Sequence, residues 1–159
     1  MTVFYHQKYH NDLREIKMKT VHQLLQSKGS DVLSVTSDTT VYEALLIMAD
    51  KHIGAVVVMD GEHLAGIFSE RDYAREVVLK GRTSKTTPVK DIMSSKVITV
   101  ALDNTVEDCM NLITNKRIRH LPVLHNGKVT GILSIGDLVK ETIAEQQLLI
   151  QQLESYIQS

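Results

Sequence analysis

The chain repeats itself. Gly66-Ile67-Phe68-Ser69-Glu70-Arg71-Asp72 returns as Gly131-Ile132-Leu133-Ser134-Ile135-Gly136-Asp137, with the Gly, the Ser and the Asp all displaced by the same offset. That offset also carries Val32, Val35, Asp38, Thr40, Val41, Lys51, Ile53 and Val58 onto Val97, Val100, Asp103, Thr105, Val106, Lys116, Ile118 and Val123, with no gap. An internal repeat fixes the architecture before any local propensity does, and this one is a tandem duplication of a unit of about 60 residues. A unit of that size is marginal alone, so the two copies are expected to bury a face against each other.

Each copy reads β-α-β-β-α. Val32 to Thr36 is β-rich and alternates. Thr40-x-x-Glu43 is a capping box, and Val41, Ala44, Leu45 and Met48 form one apolar helical face. The second copy answers with Thr105-x-x-Asp108 and then Val106, Cys109, Met110 and Ile113. Ala55 to Met59 is apolar on consecutive residues, the pattern of a strand covered on both faces. Asp60-Gly61 turns the chain into Leu64 to Phe68. In the second copy the hairpin is Leu121 to Leu124, His125-Asn126-Gly127, then Val129 to Leu133. Pro122 cannot donate to a ladder, which places it at a strand start or an edge. Helices follow from Ser69 to Lys80 and from Ser134 onward. The expected organisation is an N-terminal extension over 1–19, a first repeat over 20–80, a linker over 81–90, a second repeat over 91–143 and a helical extension over 144–159. Val21, Leu24 and Leu25 give a short helix that Gly29 stops. The fold class is α+β with pseudo-twofold symmetry.

Composition excludes several classes. The formal net charge is −1, which argues against a general nucleic-acid or membrane-surface binder. There is no Trp and aromatics are 4%, so base-stacking platforms are not expected. Cys109 is the single cysteine. Its place on the apolar face makes it a buried structural thiol. His6 and His10 share a helical face, as do Tyr5 and Tyr9, but no third metal ligand accompanies the histidines, and no metal is expected. The opening Met-Thr-Val-Phe-Tyr-His lacks the charged-then-apolar pattern of a signal peptide, so the expectation is a soluble, cytoplasmic protein. No Gly-rich phosphate loop, dinucleotide fingerprint or paired-Cys ligand set is present, and no catalysis is expected.

Two β-α-β-β-α units that each close with Gly-apolar-apolar-Ser-x-x-Asp resemble a CBS-domain pair, the module named after cystathionine β-synthase. Arg119-His120-Leu121-Pro122-Val123 is similar to a familiar form of that family's middle strand. The resemblance covers residues 20 to 143. It implies two clefts between the repeats, a disc-like homodimer, and a regulatory ligand containing adenosine: AMP first, with ADP, ATP, NAD or S-adenosylmethionine as further candidates. It implies no catalytic cofactor. By position, Asp72 and Asp137 would accept hydrogen bonds from ribose hydroxyls, and Ser69 and Ser134 would contact phosphate. Arg71 and Arg119 would neutralise phosphate, with His120 assisting. Backbone near Ser34 and Thr36, near Ala55, Val56 and Val57, near Thr99 and Ala101, and near Leu121 and Pro122 would hold the adenine. The better-equipped cleft is expected to draw Asp137, Ser134 and Arg119 from the second copy, with Arg71 reaching in from the first.

Ser-x-x-Asp before an apolar helix is also a capping-box variant, so helix stability alone accounts for both motifs; the two roles are compatible. Val139, Ile143, Gln146, Ile150, Leu153 and Ile157 alternate steps of four and three, the spacing of a coiled-coil seam. Self-association through that helix and packing on its own domain both fit. A nucleotide-binding regulatory module acting on itself or on a regulated protein is the primary reading. A ligand-free interaction and dimerisation module is the alternative.

Overall fold

Both repeats build the same three-stranded sheet. The computed structural model describes residues 18–158; Tyr5, His6, Tyr9 and His10 lie outside the described residues. Helix α1 spans Val21–Lys28, and then come β1 (Ser34–Val35), α2 (Val41–Lys51), β2 (Ala55–Asp60) and β3 (His63–Ser69). Helix α3 starts as Glu70–Asp72 and widens into a π-helical turn over Tyr73–Val78. The second repeat supplies β4 (Val100–Ala101), α4 (Val106–Lys116), β5 (His120–His125), β6 (Lys128–Ser134) and α5 (Ile135–Gln158). The sheet orders are β1-β2-β3 and β4-β5-β6.

The duplication extends to details. The parallel pairs Val35 with Val58 and Val100 with Val123 are one register, displaced by the repeat offset. The β-bulge between Val58 and Met59 recurs between Val123 and Leu124. Both capping boxes form: Thr40 Oγ accepts from Glu43 N at 3.2 Å, and Thr105 Oγ from Asp108 N at 3.1 Å. Ala55 to Val58 are all buried, as expected of a strand covered on both sides. Cys109 is fully buried, and burial pushes its thiol up to about 11.

Three places depart from the sequence expectations. The first strand of each repeat pairs over only two residues, because the chain turns immediately afterwards. Pro122 sits in the middle strand rather than at a strand start or sheet edge. It is tolerated because β4 pairs with β5 only at Val123 and Leu124, so Pro122 has a ladder partner on one side alone, Ile132. The polar connector ends in buried structure: Thr87 and Val89 are both buried, and Val89–Asp91 forms a 3-10 turn.

The two cores share segments across the repeats. Val89 and Ile92 complete the apolar cluster of the first repeat, with Val56, Val58 and Phe68. Helix α1 precedes the first repeat in sequence yet buries Val21, Leu24 and Leu25 in the second, against Val106, Cys109 and Leu133. Its start is tied there by Val21 N to Asn104 O at 2.8 Å and Val106 N to Lys19 O at 3.0 Å. Each repeat thus borrows a segment that lies just before the other repeat's first strand.

Candidate functional site

The two Ser-x-x-Asp motifs are helix caps first. Ser69 Oγ accepts from Asp72 N at 3.3 Å, while Asp72 Oδ2 accepts from Ser69 N at 2.9 Å and from Ser69 Oγ at 3.0 Å. Ser134 N donates to Asp137 Oδ2 at 2.8 Å, and Asp137 N to Ser134 Oγ at 3.2 Å. Glu70 N donates to Gly54 O at 3.1 Å, and its counterpart in the second repeat, Ile135 N to Arg119 O, is 2.8 Å. The start of each repeat's last helix is thereby tied to the residue that leads into its own middle strand.

A cavity of about 200 Å³ lies between the repeats and is lined by Ser69, Arg71, Asp72, Arg119 and His120 from the residues singled out above. Three further cations line it: Arg75, Lys96 and Arg117. Its apolar wall is Ile67, Val97, Ile98 and Ile118. Arg71 crosses from the first repeat to the second, its Nη1 donating to Arg117 O at 3.4 Å. Among the described residues none of the five cations is in an ion pair with a carboxylate. Asp72 is the cavity's one acid, and its Oδ1 has no hydrogen-bond partner among the described residues.

Local structure sets these positions. Arg71 and Arg75 lie four residues apart, one turn along α3. Arg117 ends α4 in the left-handed region, φ 53, a place that glycine or asparagine fills at lower cost. Lys96 to Ile98 follow the segment of Met93 and Ser94 that crosses Gly66. An added Cβ at Gly66 would lie 2.8 Å from Ser94 O, and Ile67 and Ser94 exchange backbone hydrogen bonds of 3.0 Å in both directions. The glycine lets the second repeat's first segment run against β3 and form the cavity wall.

Electrostatics follow the geometry. Burial raises the Asp72 carboxyl above its ordinary value, and the Ser69 hydrogen bonds only partly oppose this. Burial lowers His120, with its cationic neighbours Lys28 and Arg119 adding to that and Asp137 opposing it. The imidazole is therefore neutral near pH 7.

The expected grouping of Asp137, Ser134 and Arg119 in one cleft is corrected. Arg119 lines the cavity with Ser69 and Asp72, because this cleft is walled by the loop before the other repeat's middle strand. Asp137 is engaged elsewhere, by Lys28 Nζ at 2.5 Å. Burial pushes its carboxyl up, but the Lys28 contact and the Ser134 hydrogen bonds together outweigh burial and hold it below its ordinary value. Ala55, Val56, Val57, Leu121 and Pro122 are buried in the strands behind the clefts. Ser34 is an exposed residue of β1. Thr36 follows β1 and Ala101 ends β4 at the equivalent place, their amides held by Thr39 Oγ and Asn104 Oδ1 at 3.1 and 2.8 Å. Thr99 is half-buried beside β4 and does not line the cavity. Arg75, Lys96 and Arg117 were not anticipated. The helical spacing from Arg71 would have found Arg75, whereas Lys96 and Arg117 are joined to the site only by the fold. Among the described residues no group of His, Cys, Asp and Glu could hold a metal, and no helix is long and apolar enough to cross a membrane.

This fold and cleft define a tandem regulatory module. The CBS-domain family model matches residues 21–79 and 89–143, and the chain belongs to that family. The mitochondrial CBS domain-containing protein CBSX3 of Arabidopsis thaliana is 43% identical over 148 residues, covering 87% of this chain and 72% of that protein. A crystal structure from Burkholderia ambifaria, of a CBS-domain protein whose name places it in signal transduction, is 50% identical with a TM-score of 0.77 and covers 80% of this chain and 96% of its own. A Pyrobaculum aerophilum CBS-domain protein in complex with AMP is 26% identical with a TM-score of 0.67, covering 75% of this chain and 89% of its own.

Proposed function

We propose that the chain is a non-catalytic sensor that takes an adenosine nucleotide in the Asp72 cleft and, on binding, shifts its own arrangement or that of a regulated partner. The observation that carries this reading is the cavity in which a half-buried carboxylate faces five cations that have no acidic partners among the described residues. Asp72 Oδ1 is the acceptor for the ribose hydroxyls. Arg71, Arg75, Arg117, Arg119 and Lys96 take the phosphates, the arginines by bidentate contacts. Ile98 and Ile118 supply apolar surface for the base. Five cations exceed what one phosphate neutralises, which favours ADP, ATP or a dinucleotide over AMP. The ligand acts by its differential affinity for two arrangements of the repeats.

Thermal unfolding with AMP, ADP, ATP, NAD, S-adenosylmethionine and GMP tests this. A ligand at about 100 times its dissociation constant adds about 2.7 kcal/mol. A shift with an adenosine compound and none with GMP supports the sensor; no shift with any of them rejects it.

The second reading, an interaction module, draws on α5. Val139, Ile143, Ile150, Leu153 and Ile157 of the heptad seam are 41 to 85% exposed, and Gln146 lies in the same row. Between positions 146 and 158 the one charged residue is Glu154, so two copies meet with little like-charge repulsion. A homodimer through this helix is compatible with the sensor. Sedimentation of the chain with and without residues 146–159 distinguishes them: a dimer that becomes monomeric on truncation while still binding nucleotide assigns both roles.

A further inference from the structure

We propose that the second cleft is closed by the chain itself, with Lys28 serving as a built-in cation for Asp137, so that the module takes ligand at the Asp72 cleft alone. For its ligand this inference rests on the nucleotide reading above; for the closure it rests on geometry. Lys28 is the last residue of α1, and Gly29 ends the helix directly after it with φ 101. Its Nζ lies 2.5 Å from Asp137 Oδ2 and also donates to the Ile132 carbonyl. The ammonium thus bridges the carboxylate and the strand end that a ligand at this motif would approach.

This is not a loose surface lysine. Helix α1 is held at three further points. Leu24 and Leu25 are buried in the second repeat's core. The Leu25 Cδ atoms fill the space over Gly131, 2.7 and 2.8 Å from where a Cβ would stand. At the other end Lys19 Nζ reaches Glu141 at 2.7 Å, and Lys19 N donates to Glu145 at 3.2 Å. A neutral ribose hydroxyl entering this cleft would have to displace a charge-assisted contact made by a side chain whose helix is already fixed. The repeat supplies the control. Val21 N to Asn104 O is matched by Val89 N to Thr39 O, and Leu25 over Gly131 by Met93 over Gly66, so by contact Lys28 answers to Lys96. Lys96 lines the Asp72 cavity, yet Asp72 has no cation paired to it among the described residues.

The test joins calorimetry to lysine modification on the full chain. Titration with ATP should give one site per chain. Asp72→Asn should weaken it at least about tenfold, and Asp137→Asn by no more than about twofold. Acetylation with a succinimidyl ester, read by mass spectrometry, should modify Lys28 several-fold more slowly than Lys51 and Lys128, whose side chains are 55 and 69% exposed. Asp137→Asn should bring Lys28 up to their rate. Two ATP sites, or equal losses in the two Asn variants, or a Lys28 as reactive as Lys51 in the wild type, overturns the closure. If no nucleotide binds at all, the nucleotide reading fails and the acetylation pattern alone decides the closure. Should Asp137→Asn not fold, Lys28→Met removes the ammonium and keeps a side chain of similar length. Carbon NMR should then show the Asp137 carboxyl titrating at higher pH than in the wild type; an unchanged titration overturns the pairing.

Discussion

The two clefts are copies in backbone and unlike in charge. At the repeat offset, Arg71, Arg75, Arg117 and Arg119 correspond to Gly136, Lys140, His52 and Gly54, while Lys96 answers by contact to Lys28. Five cations are answered by two lysines, one of them already paired to Asp137. Over the same interval the capping boxes, the bulges and the glycines under the crossing segments are kept. The lesson is that the shared features belong to the fold and the divergent ones to the ligand. Ser-x-x-Asp caps a helix in both repeats, so the motif alone does not mark a site. What marks the first cleft, among the described residues, is a carboxylate with no paired cation beside cations with no paired carboxylate.

The sharpest way to break this contrast is to remove each carboxylate. Asp72→Ala should weaken an adenosine nucleotide by about 1–3 kcal/mol, the cost of leaving a desolvated polar partner unpaired. Asp137→Ala should leave nucleotide affinity nearly unchanged. Calorimetry measures both, and equal losses would make the clefts equivalent after all. Next in size is the contrast between the glycines. In Gly66→Ala the new methyl meets the Ser94 carbonyl, which is backbone, and should cost about 1–3 kcal/mol in urea unfolding. In Gly131→Ala its nearest neighbours are atoms of the Leu25 side chain and not backbone, so the cost should be smaller. A reversed order would mean that the Ser94 segment is the softer of the two walls. Smaller again is the pair of left-handed helix ends, His52 and Arg117, with φ 54 and 53. Replacing either by Gly should raise stability by up to about 1 kcal/mol, since glycine adopts this conformation without steric cost. Only Arg117→Gly should also weaken nucleotide binding. An unchanged affinity would remove Arg117 from the site.

Much of this was legible in the residues, and what was not has a physical reason. The constant offset between the copies carried the element order, the two capping boxes, the buried middle strand and the buried Cys109, because these depend on patterns within one copy. The membership of each cleft was not legible. Arg119 stands in the same copy as Asp137, and spacing within that copy suggests that they act together. The fold instead places Arg119 across from Asp72, because the walls of that cleft come from both repeats. The burial of α1 in the second repeat was hidden for the same reason: Val21, Leu24 and Leu25 announce an apolar face without saying which core receives it. Lys28 gave no signal at all until the structure set it beside Asp137.

The smallest effect concerns pH, and it separates the two carboxylates by sign. Burial would raise the Asp137 carboxyl, but the Lys28 and Ser134 contacts outweigh it and hold the group below its ordinary value of 3.8. Its folded form gives up its proton more readily than the unfolded chain does. Its contribution to stability is therefore complete above pH 3.8 and drains away as pH falls through the lower folded value. Asp72 is raised above 3.8 by burial, so the folded form holds its proton longer than the unfolded chain. Its contribution grows as pH falls through the raised value toward 3.8 and declines as pH rises through the same window. The stability gap between the wild type and Asp137→Asn should therefore be flat at neutral pH and close only below 3.8. The gap between the wild type and Asp72→Asn should move entirely above it. Urea midpoints measured from pH 7 to pH 3 resolve the two windows. If both gaps move in the same direction over the same range, Lys28 does not hold Asp137 in solution and the two clefts lose their electrostatic distinction. If they move apart, the first cleft keeps a carboxylate under desolvation, ready to accept a donor from a ligand, while the second has already received one from Lys28.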